Sequence, residues 1–565
     1  MAIPPDLEIA RQAALKPLDD IAADIGVGSH LLEPYAEHVA KIKLAAIEEL
    51  AAAPKAKYVV VTAITPTPLG EGKTTTTVGL GQGFNHIGKK ATVTIRQPSM
   101  GPTFGIKGGA AGGGYSQVVP MEALNLHLTG DMHAVTAAHN LLAAMVDNHL
   151  FQGNPLGLSI DDITWRRVMD VNDRALRNIV IGLGPKADGV TRQTGFDITA
   201  ASEVMATLAL CTSLADLRER LERIVVGYTS AGTPVTAGEL ETAGSMTVLL
   251  REAIKPNLLQ TLENTPVLVH AGPFGNIATG NSSVIADLIG IHTGDFLVTE
   301  AGFGADMGAE RFFNIKCRTS GLRPDAAVVV ATVRALKAHS GKYKIVAGRP
   351  LPADLLAENP DDVLAGAANL RKQIQNVRTH GVPAVVAINA FPTDHPSEHQ
   401  AIKEVAREMG ARAAVCTHFA EGGKGAAELA EAVAEATSEP SQFRFLYSDD
   451  ATLRSKIETV AATIYGADGV SYSPVATKQL DTYERAGFGR LPVCIAKTHL
   501  SISSDPALKG APTGWTLPVR EVRASVGAGF VYPICGEMRT MPGLSANPAV
   551  IRIDIDANGE VIGLS

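Results

Sequence analysis

Short runs of apolar residues alternate along the chain with longer segments that place an apolar residue at every third or fourth position. The runs are rich in β-branched residues, and polar residues, glycine or proline bound most of them, which is typical of strands buried on both faces. They occupy residues 58–64, 91–95, 266–270, 295–299, 326–333 and 383–389. Helical patterns such as residues 361–380 separate most of these runs. This order predicts an α/β fold, in which helices flank a parallel sheet.

The pattern also predicts how the rest of the chain is organised. Residues 1–53, including 34–53, are predicted to be helical. The residues at 223–240 predict a small hairpin, and Asn558-Gly559 predicts a two-residue hairpin turn near the C-terminus. We expect an α/β core, an inserted mainly helical lobe and a C-terminal α+β subdomain, which cover residues 1–115 with 261–445, 116–260 and 446–565, respectively.

Composition and charge narrow the class of protein. The 565 residues are 45% hydrophobic and 19% charged, which is typical of a folded globular chain and not of a disordered one. The formal net charge of −8 argues against a general binder of nucleic acids or of anionic membranes. No apolar run approaches the roughly 18 residues that a membrane-spanning helix needs. The five cysteines are widely spaced and odd in number, which favours reduced thiols and a cytoplasmic protein.

The sharpest local motif follows the first apolar run, where a glycine-rich turn leads into a helical pattern. Its end matches the G-K-[ST] of phosphate-binding loops, so the core is predicted to be of P-loop type. Lys73 would reach the β- and γ-phosphates of a nucleotide, and Thr74 would supply a hydroxyl to Mg²⁺. The usual first glycine is replaced by Thr67, and a plain strand–helix turn with an exposed lysine is the alternative. The candidate nucleotide-binding residues are Thr65, Pro66, Thr67, Pro68, Leu69, Gly70, Glu71, Gly72, Lys73, Thr74 and Thr75.

A second glycine-rich segment follows the run at 91–95. Five glycines fall within residues 108–114, a density that costs folding entropy and suits close approach of the backbone to an anion. A flexible surface loop is the alternative. Arg96 begins the segment, and its planar guanidinium suits a carboxylate or an acyl phosphate, although an isolated arginine usually forms a surface ion pair. The candidate anion-binding residues are Arg96, Gly105, Lys107, Gly108, Gly109, Gly112, Gly113, Gly114 and Tyr115.

Through these two segments and several further strings, the chain resembles the formate–tetrahydrofolate ligases along essentially its whole length. The matching strings are GIKGGAAGGGY at 105–115, VATVRALK at 330–337, ITPTP at 64–68 followed by GEGKTT, EAGFGAD at 300–306 and AINAFPTD at 387–394. The resemblance implies a P-loop α/β fold with added subdomains and a cytoplasmic homotetramer. It also implies MgATP-dependent joining of formate to tetrahydrofolate through formyl phosphate, with a response to K⁺ or NH₄⁺.

The resemblance also implies residue roles. The loop around Lys73 would hold the ATP phosphates, Arg96 would hold formate and then formyl phosphate, and three aromatic residues would line the folate pocket. Two positions depart from the family pattern, because Gln97 stands where glutamate is common and the last of the aromatic residues is often tryptophan. The three aromatic residues are Phe303, Phe391 and Phe419.

Several readings stay open at this point. One is a P-loop switch ATPase without an acyl acceptor, although we find no N-K-x-D base motif; another is a ligase for a different small carboxylate. Asp306 and Glu310 could form a solvated turn or bind a cation, and Asn389 and Asp394 could contact a nucleotide base or stabilise a turn. Packing or capping is the expected role of four histidines, with metal binding as the alternative; they are His127, His133, His139 and His149.

Overall fold

The computed structural model describes residues 3–68, 70–107, 110–343, 345 and 350–564. Its centre is a twelve-stranded sheet, whose strands we number β1 to β12 in chain order. They are Leu32–Ala36, Val39–Ile42, Lys57–Ala63, Ala91–Ile95, Gly112–Gly113, Ser116–Val119, Asn257–Thr261, Pro266–Val269, Phe296–Glu300, Ala326–Ala331, Ala384–Asn389 and Arg412–Cys416.

The main path of the sheet runs β1-β2-β7-β8-β4-β9-β3-β10-β11-β12. From β8 to β12 all neighbours are parallel, so seven strands point the same way. At the other edge β1, β2 and β7 pair antiparallel, and β6 pairs with β7 beside them. The carboxyl ends of the parallel strands therefore meet at one edge, where such sheets bind ligands.

Alternation along β3 explains why the sheet is covered on both faces. Val59 and Val61 pack in one apolar cluster with Phe84, which lies on the helix after β3. Tyr58 and Val60 point the other way into a second cluster, which is supplied by helices that follow β10 and β11. Every residue of β3 after Lys57 is buried, as expected for a central parallel strand.

The α-helices of at least five residues either cover the parallel strands or lie elsewhere in the chain. Those that cover the parallel strands are Lys73–His86, Val284–Gly290, Val333–His339, Pro360–Thr379, Pro396–Glu408 and Ala427–Ala436. The others are Asp6–Arg11, Leu18–Asp24, Met121–Asn125, Asp131–Phe151, Glu203–Leu210, Leu214–Glu222, Ala243–Leu250, Leu453–Val460 and Pro474–Arg485. Within the described residues, we find no helix with the length and apolarity needed to cross a membrane.

Smaller sheets lie outside the main one. Between β6 and β7 the strands are Leu158–Ile163, Arg167–Met169, Ile179–Ile181, Arg192–Thr194, Phe196–Ile198, Val225–Thr229 and Pro234–Thr236. Beyond β12 they are Gly469–Tyr472, Thr516–Val519, Glu521–Ser525, Phe530–Ile534, Asp554–Ile555 and Val561–Ile562. Both predicted hairpins form, because Val225–Thr229 pairs antiparallel with Pro234–Thr236 and Asp554–Ile555 with Val561–Ile562. The predicted two-residue turn at Asn558-Gly559 is wrong in length, because Asp556 pairs with Glu560 and residues 557–559 form the turn.

The six predicted strands and the helix at 361–380 are confirmed, with boundaries shifted by one or two residues. The prediction of helix over 34–53 is wrong for most of that segment. β1 and β2 form a hairpin there, and only Ala46–Glu49 is helical. The reason is tertiary, since β2 pairs with β7 and so becomes part of the main sheet. The division into core, lobe and subdomain stays a prediction.

One half-buried carboxyl group joins the segment before β7 to the region after β12. Glu203 accepts a hydrogen bond from the backbone N–H of Gly527 at 2.8 Å, and burial raises its pKa from 4.5 to about 8. Between these values the folded chain holds a proton that the unfolded chain releases, so the free energy of unfolding should fall as the pH rises from about 5 to 8. Glu203→Gln should flatten this part of a plot of Tm against pH. Parallel Tm curves for the two proteins would contradict the prediction.

Candidate functional site

Loops that follow five neighbouring parallel strands contact one another at the carboxyl edge of the sheet. The strands are β4, β9, β3, β10 and β11, in spatial order. Side chains from the loops form direct hydrogen bonds across the chain, and the residues so joined lie 226, 261 and 318 positions apart. The predicted nucleotide loop and Arg96 therefore belong to a single site, as the topology of a parallel sheet leads one to expect.

The loop after β3 is organised by Glu71. Its carboxyl group accepts hydrogen bonds from the backbone N–H of Thr67 at 2.7 Å, from the Thr67 hydroxyl at 3.0 Å and from the Thr332 hydroxyl at 3.1 Å. Burial raises the pKa of Glu71, whereas these bonds and the charge of Lys73 act against the rise. Thr67, which stands where the motif usually has glycine, thus donates two hydrogen bonds that hold the loop in shape.

Gly72 makes the turn from this loop into the helix Lys73–His86. Its φ of 72° lies in the left-handed region, and a Cβ there would come within 2.5 Å of the Asn389 amide nitrogen. Asn389 in turn donates to the carbonyl of Glu71 at 3.2 Å. None of the side chains described caps the start of this helix. Its first N–H groups and positive dipole end therefore suit an anion, as in phosphate-binding loops.

Glu300, the last residue of β9, joins the two halves of the site. Its Oε2 accepts a hydrogen bond from the Thr74 hydroxyl at 2.8 Å, and its Oε1 lies 3.6 Å from Nε of Arg96. The Arg96 side chain is 30% exposed and that of Glu300 only 6%, so the arginine faces the open side of the pair. Cβ atoms at Gly302 and Gly280 would lie 3.5 and 3.8 Å from the guanidinium, which leaves its flanks lined by backbone alone.

The start of the nucleotide loop is tied to the C-terminal region through Thr65. The Thr65 hydroxyl accepts hydrogen bonds from Asn369 at 2.8 Å and from Gln373 at 3.0 Å. Gln373 also donates to Asp306 at 2.8 Å, and the Asp306 carboxylate pairs with Lys497 at 2.7 Å. Lys497 is fully buried, so this chain of polar contacts is shielded from water along much of its length.

The described glycines of the second segment serve close packing. Gly114 has a φ of 57°, and a Cβ there would lie 2.0 Å from the carbonyl oxygen of Phe419. That carbonyl also accepts a hydrogen bond from the N–H of Tyr115 at 2.8 Å. A Cβ at Gly105 would lie 2.4 Å from the Asn172 amide nitrogen. Leu69, Gly108, Gly109 and the side chain of Lys107 are outside the described residues.

Alanine at position 114 should therefore destabilise the protein through a steric clash. Gly114→Ala is expected to lower the free energy of unfolding by about 1–3 kcal/mol more than Gly130→Ala does. Gly130 is the matched control because its φ of 83° is equally left-handed, yet a Cβ there meets nothing within 4 Å. Urea titrations of both variants measure the difference. Equal losses would mean that the contact with Phe419 relaxes without cost.

The three predicted folate-lining phenylalanines lie on loops after three different strands. Phe303 is held at a φ of 62° and stacks on His499, with ring centroids 4.6 Å apart. The Arg334 guanidinium lies 3.5 Å from the centre of the Phe391 ring. Phe419 is 42% exposed and borders Gly113 and Gly114. No ring-to-ring contact joins the three in the part of the chain that the structure describes, so each offers a separate surface.

Some of the weaker sequence readings are corrected by burial. Asp306 and Glu310 do not form a solvated turn, because both are almost fully buried. Asp306 is ion-paired with Lys497, and burial raises the pKa of Glu310 to about 7. Asp394 stabilises its own turn, since its carboxylate accepts from the N–H of Phe391 at 3.0 Å. His139 packs on Trp165 with centroids 4.0 Å apart, and burial lowers its pKa to about 3.

Sequence reasoning missed two residues at this edge. Glu300 received no role, although it ends an apolar run, and a lone acid at a strand end is the signal that could have singled it out. Arg334 also received none, although it lies in the first turn of the helix Val333–His339 after β10 and covers Phe391. Both residues stand out only by their contacts with residues far away in the sequence. A single sequence does not show which strands are neighbours, so these contacts could not be predicted.

Comparison with known proteins agrees with the resemblance over the full length. The family model described as formate–tetrahydrofolate ligase matches residues 4–565. A formate–tetrahydrofolate ligase of Saccharopolyspora erythraea is 74% identical over 565 residues, covering 100% of both chains. Formate–tetrahydrofolate ligase 3 of Rubrobacter xylanophilus is 71% identical and the enzyme of Cutibacterium acnes 64% identical, each over 99% of both chains.

Proposed function

Because this chain belongs to the formate–tetrahydrofolate ligase family, we propose that it joins formate to tetrahydrofolate in one-carbon metabolism. The reaction consumes MgATP and yields 10-formyltetrahydrofolate, ADP and phosphate through formyl phosphate. One observation carries the proposal beyond family membership: Glu300 contacts both Thr74 of the nucleotide loop and Arg96. The predicted nucleotide loop and the predicted formate-binding arginine thus contact the same carboxylate, which supports their proposed roles.

Activation of formate by phosphoryl transfer assigns a role to each half of the site. Formate is a weak acyl donor because its oxygen is a poor leaving group, and transfer of the ATP γ-phosphoryl group turns that oxygen into phosphate. Phosphoryl transfer needs mainly positioning and charge neutralisation. Lys73 and the helix N-terminus would supply these on the nucleotide side, with Mg²⁺ held by the Thr74 hydroxyl. Arg96 would hold the formyl oxygens as the phosphate bond forms.

The second step is attack by the folate amine on the formyl carbon. Negative charge then develops on the formyl oxygen, and the Arg96 guanidinium is placed to stabilise it. Its flanks are formed by backbone at Gly280 and Gly302, so no side chain there blocks the approach of a small carboxylate to the guanidinium.

The pterin ring of folate needs an aromatic surface, and the three phenylalanines provide candidates. Phe419 offers an exposed ring beside the glycine-rich segment, and Phe303 offers one stacked on His499. Phenylalanine at 419 provides less stacking area than the tryptophan common in the family and no N–H donor. Arg334, which lies over Phe391, would pair with a ring or a carboxylate of the same ligand.

We also propose a cytoplasmic homotetramer that responds to K⁺ or NH₄⁺. Large apolar side chains are exposed at Leu183 and Val248, 75% and 73% respectively, which suits surfaces that neighbouring subunits would cover. Gln97 is buried beside Arg96, and neither its amide oxygen nor its amide nitrogen has a hydrogen-bond partner among the described residues. An amide oxygen in that position is a suitable ligand for a monovalent cation.

The deciding experiment is an assay of the pure protein with MgATP, formate and tetrahydrofolate, with each substrate omitted in turn. The product is converted by acid to methenyltetrahydrofolate and read by its absorbance. We expect product only when all three substrates are present. ATP hydrolysis that ignores formate and folate, without product, would overturn the proposal and favour a switch-type ATPase.

A further inference from the structure

The contacts of Glu300 are not those of an ordinary ion pair. A carboxylate that serves only to neutralise an arginine usually forms two parallel hydrogen bonds with the guanidinium. Here Glu300 is offset from Arg96, at 3.6 Å from Nε, and that buried Nε has no hydrogen-bond partner among the residues that the structure describes. The shorter contact of Glu300, at 2.8 Å, goes to the hydroxyl of Thr74. The carboxylate is thus aimed more closely at the nucleotide loop than at the arginine.

Glu300 lies at a position in the fold that suits binding of a metal ion beside the nucleotide loop. β9 is the immediate parallel neighbour of β3, and Glu300 is paired with Val61 close to the end of that strand. In P-loop enzymes Mg²⁺ is held by the loop hydroxyl and by an acid on another strand of the sheet. Thr74 and Glu300 supply oxygen donors of this kind, which Mg²⁺ prefers, and the cation commonly keeps several of its waters.

We infer that Glu300 is the acidic partner of the nucleotide-bound metal and that it also positions Arg96. The inference rests on the proposed function, because it assumes that this loop binds MgATP. Without nucleotide, the Thr74 hydroxyl donates to Glu300. With MgATP bound, the Thr74 hydroxyl and the Glu300 carboxylate would supply oxygen donors that hold the metal. Because the same carboxylate lies 3.6 Å from Nε of Arg96, it would also keep the guanidinium beside the nucleotide loop.

The test measures metal binding without turnover. Mn²⁺ replaces Mg²⁺ in oxygen-ligand sites, and its electron paramagnetic resonance signal reports the fraction bound. Mn²⁺ is titrated into the ADP complexes of the wild type, of Glu300→Gln and of Glu203→Gln, and metal-free ADP binding is measured by calorimetry. Glu203 is the control because its carboxyl group, like that of Glu300, accepts a hydrogen bond at 2.8 Å, but from the backbone N–H of Gly527 outside the candidate site.

We expect Glu300→Gln to weaken Mn²⁺ binding to the ADP complex at least tenfold and to change metal-free ADP affinity less than twofold. Glu203→Gln should leave both affinities within twofold of the wild type. Unchanged Mn²⁺ affinity in Glu300→Gln, or an equal loss of metal-free ADP affinity, would overturn the inference. A wild type that binds nucleotide without any metal dependence would instead count against the proposed function itself.

A second pair of variants keeps the test valid if Glu300→Gln folds poorly. Thr74→Ser keeps the hydroxyl and should retain Mn²⁺ affinity within threefold, whereas Thr74→Val removes the hydroxyl with nearly the same shape and should lose at least tenfold. Thermal melting is used to check that each variant is folded. Equal Mn²⁺ affinity of the serine and valine variants would overturn the inference independently of Glu300.

Discussion

Replacing Lys73 by alanine is expected to lower kcat/KM for ATP by about 30- to 1000-fold, which corresponds to about 2–4 kcal/mol of lost transition-state stabilisation. Lys73 is the first residue of the helix that begins at the left-handed Gly72, so its ammonium group adds to the positive end of that helix. The negative charge of the transferring phosphoryl group would lose its nearest cationic side chain. Steady-state rates of 10-formyltetrahydrofolate formation at varied ATP give the measurement.

The control for Lys73→Ala is Lys89→Ala. Lys89 is exposed and lies just beyond the end of the same helix, so its removal costs one positive charge without touching the loop. Its kcat/KM for ATP should stay within twofold of the wild type. If Lys73→Ala also stayed within twofold, the plain strand–helix turn would be the better description of this motif.

Arg96→Ala is expected to reduce kcat by about 100- to 1000-fold while leaving the affinity for ADP within twofold. Loss of one preorganised donor to a developing oxyanion typically costs about 2.7–4 kcal/mol. ADP affinity should survive because the nucleotide loop and its hydrogen bonds to Glu71 do not involve Arg96. Single-turnover rates of formyl transfer and calorimetric titration with ADP separate the two quantities.

Arg96→Lys sharpens this prediction. Lysine keeps the positive charge but lacks the planar fork, and it should recover only a small part of the lost kcat. A normal rate of formyl transfer in Arg96→Ala, with only the affinity for nucleotide altered, would contradict the assignment. It would place Arg96 on the nucleotide side of Glu300 and leave the acyl group to other donors.

Much of the sheet follows from local patterns. β3 and β10 are almost entirely apolar, and only a strand buried on both faces accommodates such sequences, so periodicity alone predicts them. The hairpin of β1 and β2 could not be found in this way. Pro34 and the mixed polarity around it also fit a helical period, and the choice is made by pairing of β2 with β7, which lies more than 200 residues later.

The site shows the same limit. The G-K-T string predicts Lys73 and Thr74 as nucleotide-binding residues from the local sequence alone, because the loop and its helix are contiguous. The role of Glu300 depends on which strands are adjacent, and adjacency of β9 to both β3 and β4 is a property of the assembled sheet. Conversely, the density of glycines suggested anion binding for a group that includes Gly114. In the structure, Gly114 has to lack a side chain because the backbone at Phe419, about 300 residues later, lies against it.

The contacts around Thr65 also bear on how the protein loses its structure. Asn369 donates both to Thr65 and to the carbonyl of Gly510, and Gln373 links Thr65 to the pair formed by Asp306 and Lys497. Opening of the last 120 or so residues would leave a buried carboxylate and several buried amides without their partners, and such unpaired buried groups cost free energy. We therefore expect the carboxyl edge of the parallel strands and the C-terminal region to open as one cooperative unit, whose amides share a single opening energy in native-state hydrogen exchange.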